Sequence, residues 1–352
     1  MATTGWSPQL LTFLLCFSSF TLVVVLGQRE VPSALVCLSN VTYQFALLSF
    51  KSLVTKDPYK VLSNWNSNIT LCDRNGVSCS RGSQRVVARN LSKKALECTI
   101  SPYISNLSFL QVLDLSKDNF HGHLPIDFIR LPWLEKLSIW RNHFKGSIPQ
   151  TLSHCHHHQV LFAAENEFYG SILEFFGSLP KLKFLNLYDN KLTGTNPVTF
   201  ANLSKLDGNI PSELGSITHL QVFSVEKNKL TGTLPESLFN LSTLQKLSFM
   251  TNQLTGHLSK DVGRFLPNLQ VLFAAENELY GSIPEFLGCL QELKVLNLYD
   301  NKLTGTIPVT FSNLSKLEHL NIGQNHICGN IPSELGNITR LQFFSVEKNN
   351  LT

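Results

Sequence analysis

The sequence predicts an α/β solenoid: a right-handed superhelix of short repeats, with a parallel β-sheet on its concave face and a helical N-terminal cap. Three observations predict this fold. Asn recurs at one phase in steps of mostly 24 residues, Leu-x-x-Leu-x-Leu runs precede it, and a Gly follows four residues later. A fixed period of this length is the signature of a solenoid, in which each unit buries its apolar face only against its neighbours.

The chain of 352 residues begins with an apolar run from Leu10 to Leu26, interrupted only by Ser and Thr. Gly27 offers a small residue at a cleavage point. This pattern predicts a secretory signal peptide over 1–27, although no Lys or Arg precedes the run, and an uncleaved anchor is the alternative. No later stretch reaches the ~18 apolar residues that a membrane span needs.

Residues 28–85 are expected to form the cap. Ala46, Leu47, Phe50, Leu53 and Val54 fall on one face of a helix. Such a helix can cover the open end of the first repeat, where the core would otherwise meet water.

The repeats are predicted to fill residues 86–352 with about eleven strands. Inward leucines alternate with outward residues along each strand, and the buried Asn amides satisfy backbone groups at the turn that follows. The strands are expected to begin near Val86, Leu110, Leu134, His158, Leu182, Leu220, Leu244, Leu269, Leu293, Leu317 and Leu341.

Several motifs resemble those of one family. Gly146-Ser147-Ile148-Pro149 at the repeat phase resembles the plant-specific class of leucine-rich repeats, and Leu62-Ser63-Asn64-Trp65 with Cys72 and Cys79 resembles the plant N-terminal cap. The phrase Gly263-Arg264-Phe265-Leu266-Pro267-Asn268-Leu269-Gln270 is similar to the receptor-like kinase subfamily that includes immune receptors. The resemblance implies a receptor ectodomain. Cys72 and Cys79 are close enough for a disulfide in an oxidising compartment.

An internal duplication interrupts the array. Residues 159–167 return 111 residues later, and from Asn209 onward the offset becomes 121, so the first copy lacks ten residues. We therefore expect one repeat to be damaged near 206–219, with the sheet passing directly from the Leu182 strand to the Leu220 strand. The leftover arc would bulge on the convex side, with no regular strand at 206–209. After Asn349 no closing cap follows, which predicts a truncated receptor.

Ligand-binding residues are expected on the concave face, between the inward leucines. The candidates are Trp140, Arg141, Phe162, Glu165, Tyr188, Asp189, Glu226, Lys227, Phe273, Glu276, Tyr299 and Asp300. With the outer repeats included, this face carries seven acids and four bases, a net charge of −3 that favours a basic or neutral partner. Its exposed aromatic residues favour a peptide-docking strip. Ordinary strand variation, repeated by the duplication, explains the pattern equally well.

Nine sequons agree with secretion to the cell surface or the extracellular space. They are Asn40, Asn68, Asn90, Asn106, Asn202, Asn240, Asn313, Asn337 and Asn350. Several, but not all, are expected to carry glycan.

Other functions are not expected. The mild net charge of +4 argues against nucleic-acid binding, and no kinase or nucleotide-binding loop is present. The run from His154 to His158 includes Cys155, but Cys155 and His158 hold core phases, so no metal or other cofactor is predicted. No acid–base pair with catalytic geometry can be named, so enzyme activity is not expected.

Three hypotheses remain. In the first, the chain is the ectodomain, or a fragment, of a plant receptor-like kinase that binds a peptide or protein ligand and a co-receptor ectodomain. In that case a membrane contact would come only from a missing C-terminal region or an uncleaved signal. In the second, it is a secreted inhibitor resembling polygalacturonase-inhibiting proteins. In the third, it is a non-functional remnant.

Overall fold

A computed structural model describes residues 34–82, 85–193 and 210–352. The predicted signal peptide, Asn202 and the leftover arc up to residue 209 lie outside these ranges, and so does the side chain of Asn40. The first helix, α1 (Ala34–Ser52), belongs to the predicted cap. Its residues Ala46, Leu47 and Phe50 are buried in the same core as the first repeats, as the apolar pattern predicts.

The large sheet contains twelve strands in the described part of the chain. They are β1 (Val77–Cys79), β2 (Val86–Asn90), β3 (Val112–Asp114), β4 (Lys136–Ser138), β5 (Val160–Phe162), β6 (Phe184–Asn186), β7 (Val222–Ser224), β8 (Lys246–Ser248), β9 (Val271–Phe273), β10 (Val295–Asn297), β11 (His319–Asn321) and β12 (Phe343–Ser345). Only β1, from the cap, is antiparallel to its neighbour. The other eleven run parallel, which confirms the predicted fold class.

Shorter strands run along a second edge of the coil. They span Glu97–Cys98, Asn119–Gly122, His143–Gly146, Glu167–Gly170, Lys191–Leu192, Thr255–Gly256, Glu278–Ser282, Lys302–Thr304, Cys328–Gly329 and Asn350–Leu351. The remaining side of most turns is a short 3-10 helix. These helices span Leu71–Asp73, Pro102–Asn106, Ile126–Arg130, Gln150–His154, Glu174–Ser178, Ser212–Ser216, Glu236–Asn240, Glu285–Cys289, Val309–Asn313 and Ser333–Asn337. One turn instead contains a short α-helix, α2 (Val262–Phe265).

The sheet crosses the damaged repeat without a gap. Strand β6 pairs directly with β7, with Leu185 opposite Phe223, although these residues are 38 positions apart. This pairing confirms the predicted direct passage from the Leu182 strand to the Leu220 strand. The predicted absence of a strand at 206–209 and the bulge of the leftover arc fall on residues that are not described.

The cap is closed by the expected disulfide. Cys72 and Cys79 are bonded, with their Cα atoms 5.6 Å apart. Of the other described cysteines, Cys98 and Cys155 are buried thiols, while Cys289 and Cys328 are exposed.

The recurring Asn residues form a hydrogen-bonded ladder inside the coil. Asn142 is typical: its Oδ1 accepts from the Phe120 amide at 2.9 Å, and its Nδ2 donates to the carbonyls of Leu115 and Ile139 at 2.8 and 3.0 Å. One amide group thus satisfies three backbone groups on two adjacent turns. Because a buried backbone group without a partner costs free energy, this explains why the amide recurs.

Asp118 replaces the ladder Asn one turn earlier, at a cost in free energy. Its Oδ1 accepts from the amides of Lys94 and Leu96 at 2.7 and 3.1 Å, whereas its Oδ2 is buried without a partner. Burial raises the pKa of the Asp118 carboxyl to about 6, against the hydrogen bonds from backbone amides that lower it.

We expect Asp118→Asn to stabilise the protein by about 1–2 kcal/mol at pH 7, because a neutral amide can donate where the carboxylate cannot. The folded-state pKa lies above the unfolded value of 3.8. The ionised carboxylate therefore costs stability above pH 6, and the advantage of Asp118→Asn should shrink as pH falls from 6 to 4. Urea unfolding of the wild type and of Asp118→Asn at several pH values measures this advantage. The reverse change, Asn142→Asp, is the matched control and should lose stability at pH 7. If the gain in stability from Asp118→Asn did not depend on pH, burial of the ionised Asp118 carboxylate would not be its cause.

The helices of the described ranges include no membrane span. None of them is both long and apolar enough to cross a bilayer.

Candidate functional site

Ten of the twelve predicted ligand-binding residues follow the strands rather than lie within them. They occupy two adjacent rows, which we call the turn rows. The first contains Trp140, Tyr188, Glu226 and Tyr299, and the second contains Arg141, Glu165, Asp189, Lys227, Glu276 and Asp300. Because the strands stack about 4.8 Å apart, residues at one phase form a continuous line across the repeats.

The second turn row has an unusual backbone. Each of its members has a positive φ, from 48° at Lys227 to 57° at Arg141. Non-glycine residues rarely adopt this left-handed conformation and need support from their surroundings. Here each backbone amide donates to a carbonyl of the next turn, as Glu165 does to Tyr188 at 2.7 Å. The charged side chains are consequently held in one line by the stacked backbone.

Neighbouring turns also touch through their side chains on the N-terminal part of the turn rows. Lys117 Nζ lies 4.4 Å from the centre of the Trp140 ring. Arg141 Nε lies 3.9 Å from a Glu165 carboxylate oxygen. Lys227 Nζ donates to the Tyr188 hydroxyl at 3.0 Å, and this bond raises the pKa of Lys227.

The C-terminal part of the turn rows is more acidic. The Tyr299 hydroxyl donates to Gln324 Oε1 at 2.9 Å. Burial raises the pKa of this hydroxyl, and the nearby carboxylates of Asp300, Glu347 and Glu276 act in the same direction. These three carboxylates contribute a negative field around Tyr299.

Two predicted residues, Phe162 and Phe273, lie within strands, and only one is accessible. Phe162 is half-buried, whereas Phe273 is 4% exposed. Phe273 packs with Met250, Val271 and Val295 in a small apolar cluster on the sheet. The expectation of an exposed aromatic strip is therefore wrong at this position, because neighbouring strands of the concave face already cover the ring.

Glu226 is also more enclosed than expected, at 7% exposure. Its carboxylate lies 3.1 Å from Lys246 Nζ and accepts from the Ser224 hydroxyl at 3.1 Å. Lys246 Nζ in turn lies 5.4 Å from the centre of the Phe273 ring. The floor of the concave face at this point is a satisfied ion pair rather than a free charge.

Sequence reasoning missed a further outward row, at the first residue of each strand from β3 to β12. It includes Lys136, which lies 3.5 Å from Asp114, as well as Lys246 and His319. Strict alternation along the strand would have found these positions, because residues two apart point to the same face. His319 stacks on Phe343 with ring centres 4.2 Å apart, and burial lowers its pKa to about 4.

The sequons and the histidine run are placed as follows. Asn68, Asn90, Asn240, Asn313, Asn337 and Asn350 are exposed and Asn106 is half-buried. Cys155 and His158 are buried, as their core phases predict. No group of three metal-ligating side chains occurs among the described residues.

Family models match several parts of the chain. A leucine-rich repeat N-terminal domain matches residues 44–80, and leucine-rich repeat models match 133–155, 181–203, 219–241 and 285–351. Each of these matches falls on a segment where the cap or the repeats were predicted.

Curated relatives come from plants. A leucine-rich repeat receptor-like serine/threonine-protein kinase of Arabidopsis thaliana is 33% identical over 294 residues, covering 68% of this chain and 30% of the relative. The receptor-like kinase EFR of Arabidopsis thaliana is 38% identical over 119 residues, covering 33% of this chain and 11% of EFR.

A solved structure shares the architecture over most of the chain. It is the Arabidopsis receptor kinase HAESA in complex with the peptide hormone IDA and the co-receptor SERK1, with a TM-score of 0.68 and 30% identity. The match covers 88% of this chain and 54% of the HAESA chain. The chain thus spans only part of each of these proteins.

Proposed function

Because this chain belongs to the leucine-rich repeat proteins of the plant receptor-kinase ectodomain type, we propose that its concave face binds a peptide or protein ligand outside the cell. HAESA, a structural neighbour, is a receptor for a peptide hormone and is seen with a co-receptor. A second ectodomain acting as a co-receptor is part of this proposal. The comparisons favour this function over an inhibitor of cell-wall-degrading enzymes.

One observation carries the proposal: the two turn rows cross the damaged repeat without interruption. The amide of Asp189 donates to the carbonyl of Glu226 at 2.9 Å across that junction, as at every other step. The lining of the concave face is thus continuous although the first copy of the duplication lacks ten residues. A continuous line of charged and aromatic side chains on a rigid backbone suits an extended ligand, because it lowers the entropy lost on binding.

The duplication supplies matched variants for a test. Asp189 and Asp300 occupy equivalent turn-row positions 111 residues apart, and Glu174 and Glu285 are an equivalent pair of exposed acids on the 3-10 helices. Peptides selected from a random library against the purified chain would be titrated against both double variants. We expect Asp189→Lys with Asp300→Lys to weaken the binding of selected basic peptides by at least about tenfold, because the introduced ammonium groups would repel them.

The control variant, Glu174→Lys with Glu285→Lys, changes the net charge by the same amount. It should alter the affinity by less than about twofold, since salt screens surface charges that lie far from an interface. Equal losses in the two double variants, or no loss in the first, would place the binding surface elsewhere.

A further inference from the structure

A cleft of about 800 Å³ opens between the cap and the first repeat, at the N-terminal end of the line that the turn rows follow. Three lysines line it: Lys60 from the cap, and Lys93 and Lys94 from the turn after β2. Lys94 holds the phase at which other turns carry the ladder Asn. A charged side chain thus replaces the buried amide at the edge of this cleft.

The three ammonium groups have no carboxylate partner within the described residues, although eight ion pairs occur elsewhere on the chain. Asp118, the acid next to Lys94, is buried and accepts from the Lys94 backbone amide at 2.7 Å. Two further acids near the cleft are engaged elsewhere. Asp57 accepts from the amides of Val61 and Leu62 at 2.8 Å each, and Glu97 pairs with Lys56 at 2.6 Å. No acid is among the residues that line the cleft, so its field is positive.

The walls of the cleft are held by one hydrogen bond within the cap and one between the cap and the first repeat. Asn75 Nδ2 donates to the Val61 carbonyl at 2.8 Å, and the Asn90 amide donates to the Gly76 carbonyl at 2.7 Å. At Gly76 the two segments meet so closely that an added Cβ would lie 2.4 Å from the Asn90 carbonyl oxygen. The cleft is therefore formed before any ligand arrives, which favours binding.

The rest of the lining is polar. It includes the amides of Asn75 and Asn90, the hydroxyl of Ser92 and the ring of Tyr59, which is 69% exposed. Val61 is the only aliphatic side chain among the lining residues. Such a lining offers hydrogen bonds to hydroxyl groups and an aromatic face, but little apolar surface for the side chains of a peptide.

We propose that this cleft binds an acidic oligosaccharide, a chain of uronic acid units whose carboxylates meet Lys60, Lys93 and Lys94. The sugar hydroxyls would meet Asn75, Asn90 and Ser92. Lys117 follows Lys93 at the same phase on the next turn, with the same left-handed backbone. At about 4.8 Å per turn, it extends the line of positive charge beyond the cleft for the next unit of the chain.

The test uses calorimetric titration of the full chain with three probes of about ten units each: oligogalacturonate, its methyl-esterified form, and poly-glutamate. We expect oligogalacturonate to bind most tightly, with an affinity that falls as salt rises. Changing Lys60, Lys93 and Lys94 to Gln should weaken its binding at least about tenfold. Changing the exposed Lys181, Lys229 and Lys260 to Gln removes the same charge and should have less than about a twofold effect.

Asn90 begins a sequon, and a glycan there would occupy the cleft, so the titration is repeated with protein produced in a host that adds no N-glycan. Oligogalacturonate binding by either protein that depends on the three cleft lysines supports the proposal. The proposal is overturned if neither the glycosylated nor the unglycosylated protein binds oligogalacturonate, or if both triple variants lose the same affinity for it. It is also overturned if the methyl-esterified form binds as tightly as oligogalacturonate, or if poly-glutamate binds more tightly. None of these variants changes Asp189 or Asp300, on which the test of peptide binding depends, so failure here leaves the peptide-binding proposal to its own test.

Discussion

Gly263→Ala is expected to destabilise the protein by about 3–5 kcal/mol, because the added methyl group would overlap the backbone of the next turn. Gly263 lies in α2, in the one repeat that has 25 residues. A Cβ at this position would lie 1.5 Å from the carbonyl oxygen of Phe286 and 2.4 Å from its carbonyl carbon. Both atoms are backbone, so no side-chain rotation can relieve the overlap, and two adjacent turns would have to separate.

A solenoid is stabilised by contacts between neighbouring turns, so this separation weakens the interface on which both sides of the array depend. Urea unfolding measures the effect. Gly336→Ala is the control, because an added Cβ there meets no atom within 4 Å. That variant should be neutral or more stable by up to about 1 kcal/mol, since Ala reduces the entropy of the unfolded chain. If the urea midpoints of Gly263→Ala and Gly336→Ala were equal, the two adjacent turns could separate without a loss of stability, and the prediction would be wrong.

The array could be predicted from the sequence because its determinants are local and repeated. The Leu and Asn phases set which residues enter the coil, and one turn is enough to infer the next. The passage from β6 to β7 was predictable for the same reason, because comparing the two copies of the duplication identifies the missing ten residues.

The accessibility of the concave residues was less predictable. Alternation gives the face on which Phe273 and Glu226 lie but not what the neighbouring strands place beside them. Phe273 is covered by Met250 and the valines of β9 and β10, and Glu226 is paired with Lys246. Most of these contacts depend on residues 20 to 23 positions away in sequence, whose types vary from turn to turn.

Arg89 is a further position at which the sequence gives the direction of a side chain but not the residues that it contacts. It holds a phase where other strands have an inward Leu, and the sequence alone predicts a costly buried charge. In the structure Arg89 pairs with Leu113 across β2 and β3 and is fully buried. Its guanidinium lies 3.4 Å from the centre of the Phe50 ring and 4.8 Å from that of Trp65. The cap thus supplies aromatic faces that offset part of the cost through cation–π attraction.

Arg89→Leu is expected to stabilise the protein by about 1–3 kcal/mol at pH 7. All three guanidinium nitrogens of Arg89 are buried without a hydrogen-bond partner. Burial lowers the pKa of Arg89 to about 9 from its usual 12.5. A shift of that size corresponds to about 5 kcal/mol against the charged form, and the ring contacts recover about 2 kcal/mol. Leu restores the residue type that this phase carries in other turns, so it fills the site without a charge.

The pH dependence separates this explanation from simple repacking. A base whose folded-state pKa is lowered costs stability below about pH 9, and the wild type regains that stability as pH rises from 9 towards 12.5. The advantage of Arg89→Leu, measured by urea unfolding, should therefore be constant from pH 6 to 8 and shrink above pH 9. Arg89→Lys keeps the charge but loses the planar stacking, so it should be less stable than the wild type. If Arg89→Leu were instead less stable than the wild type at pH 7, the contacts of Arg89 with Phe50 and Trp65 would outweigh the cost of burying its charge, and the cap would be held in place by that charge.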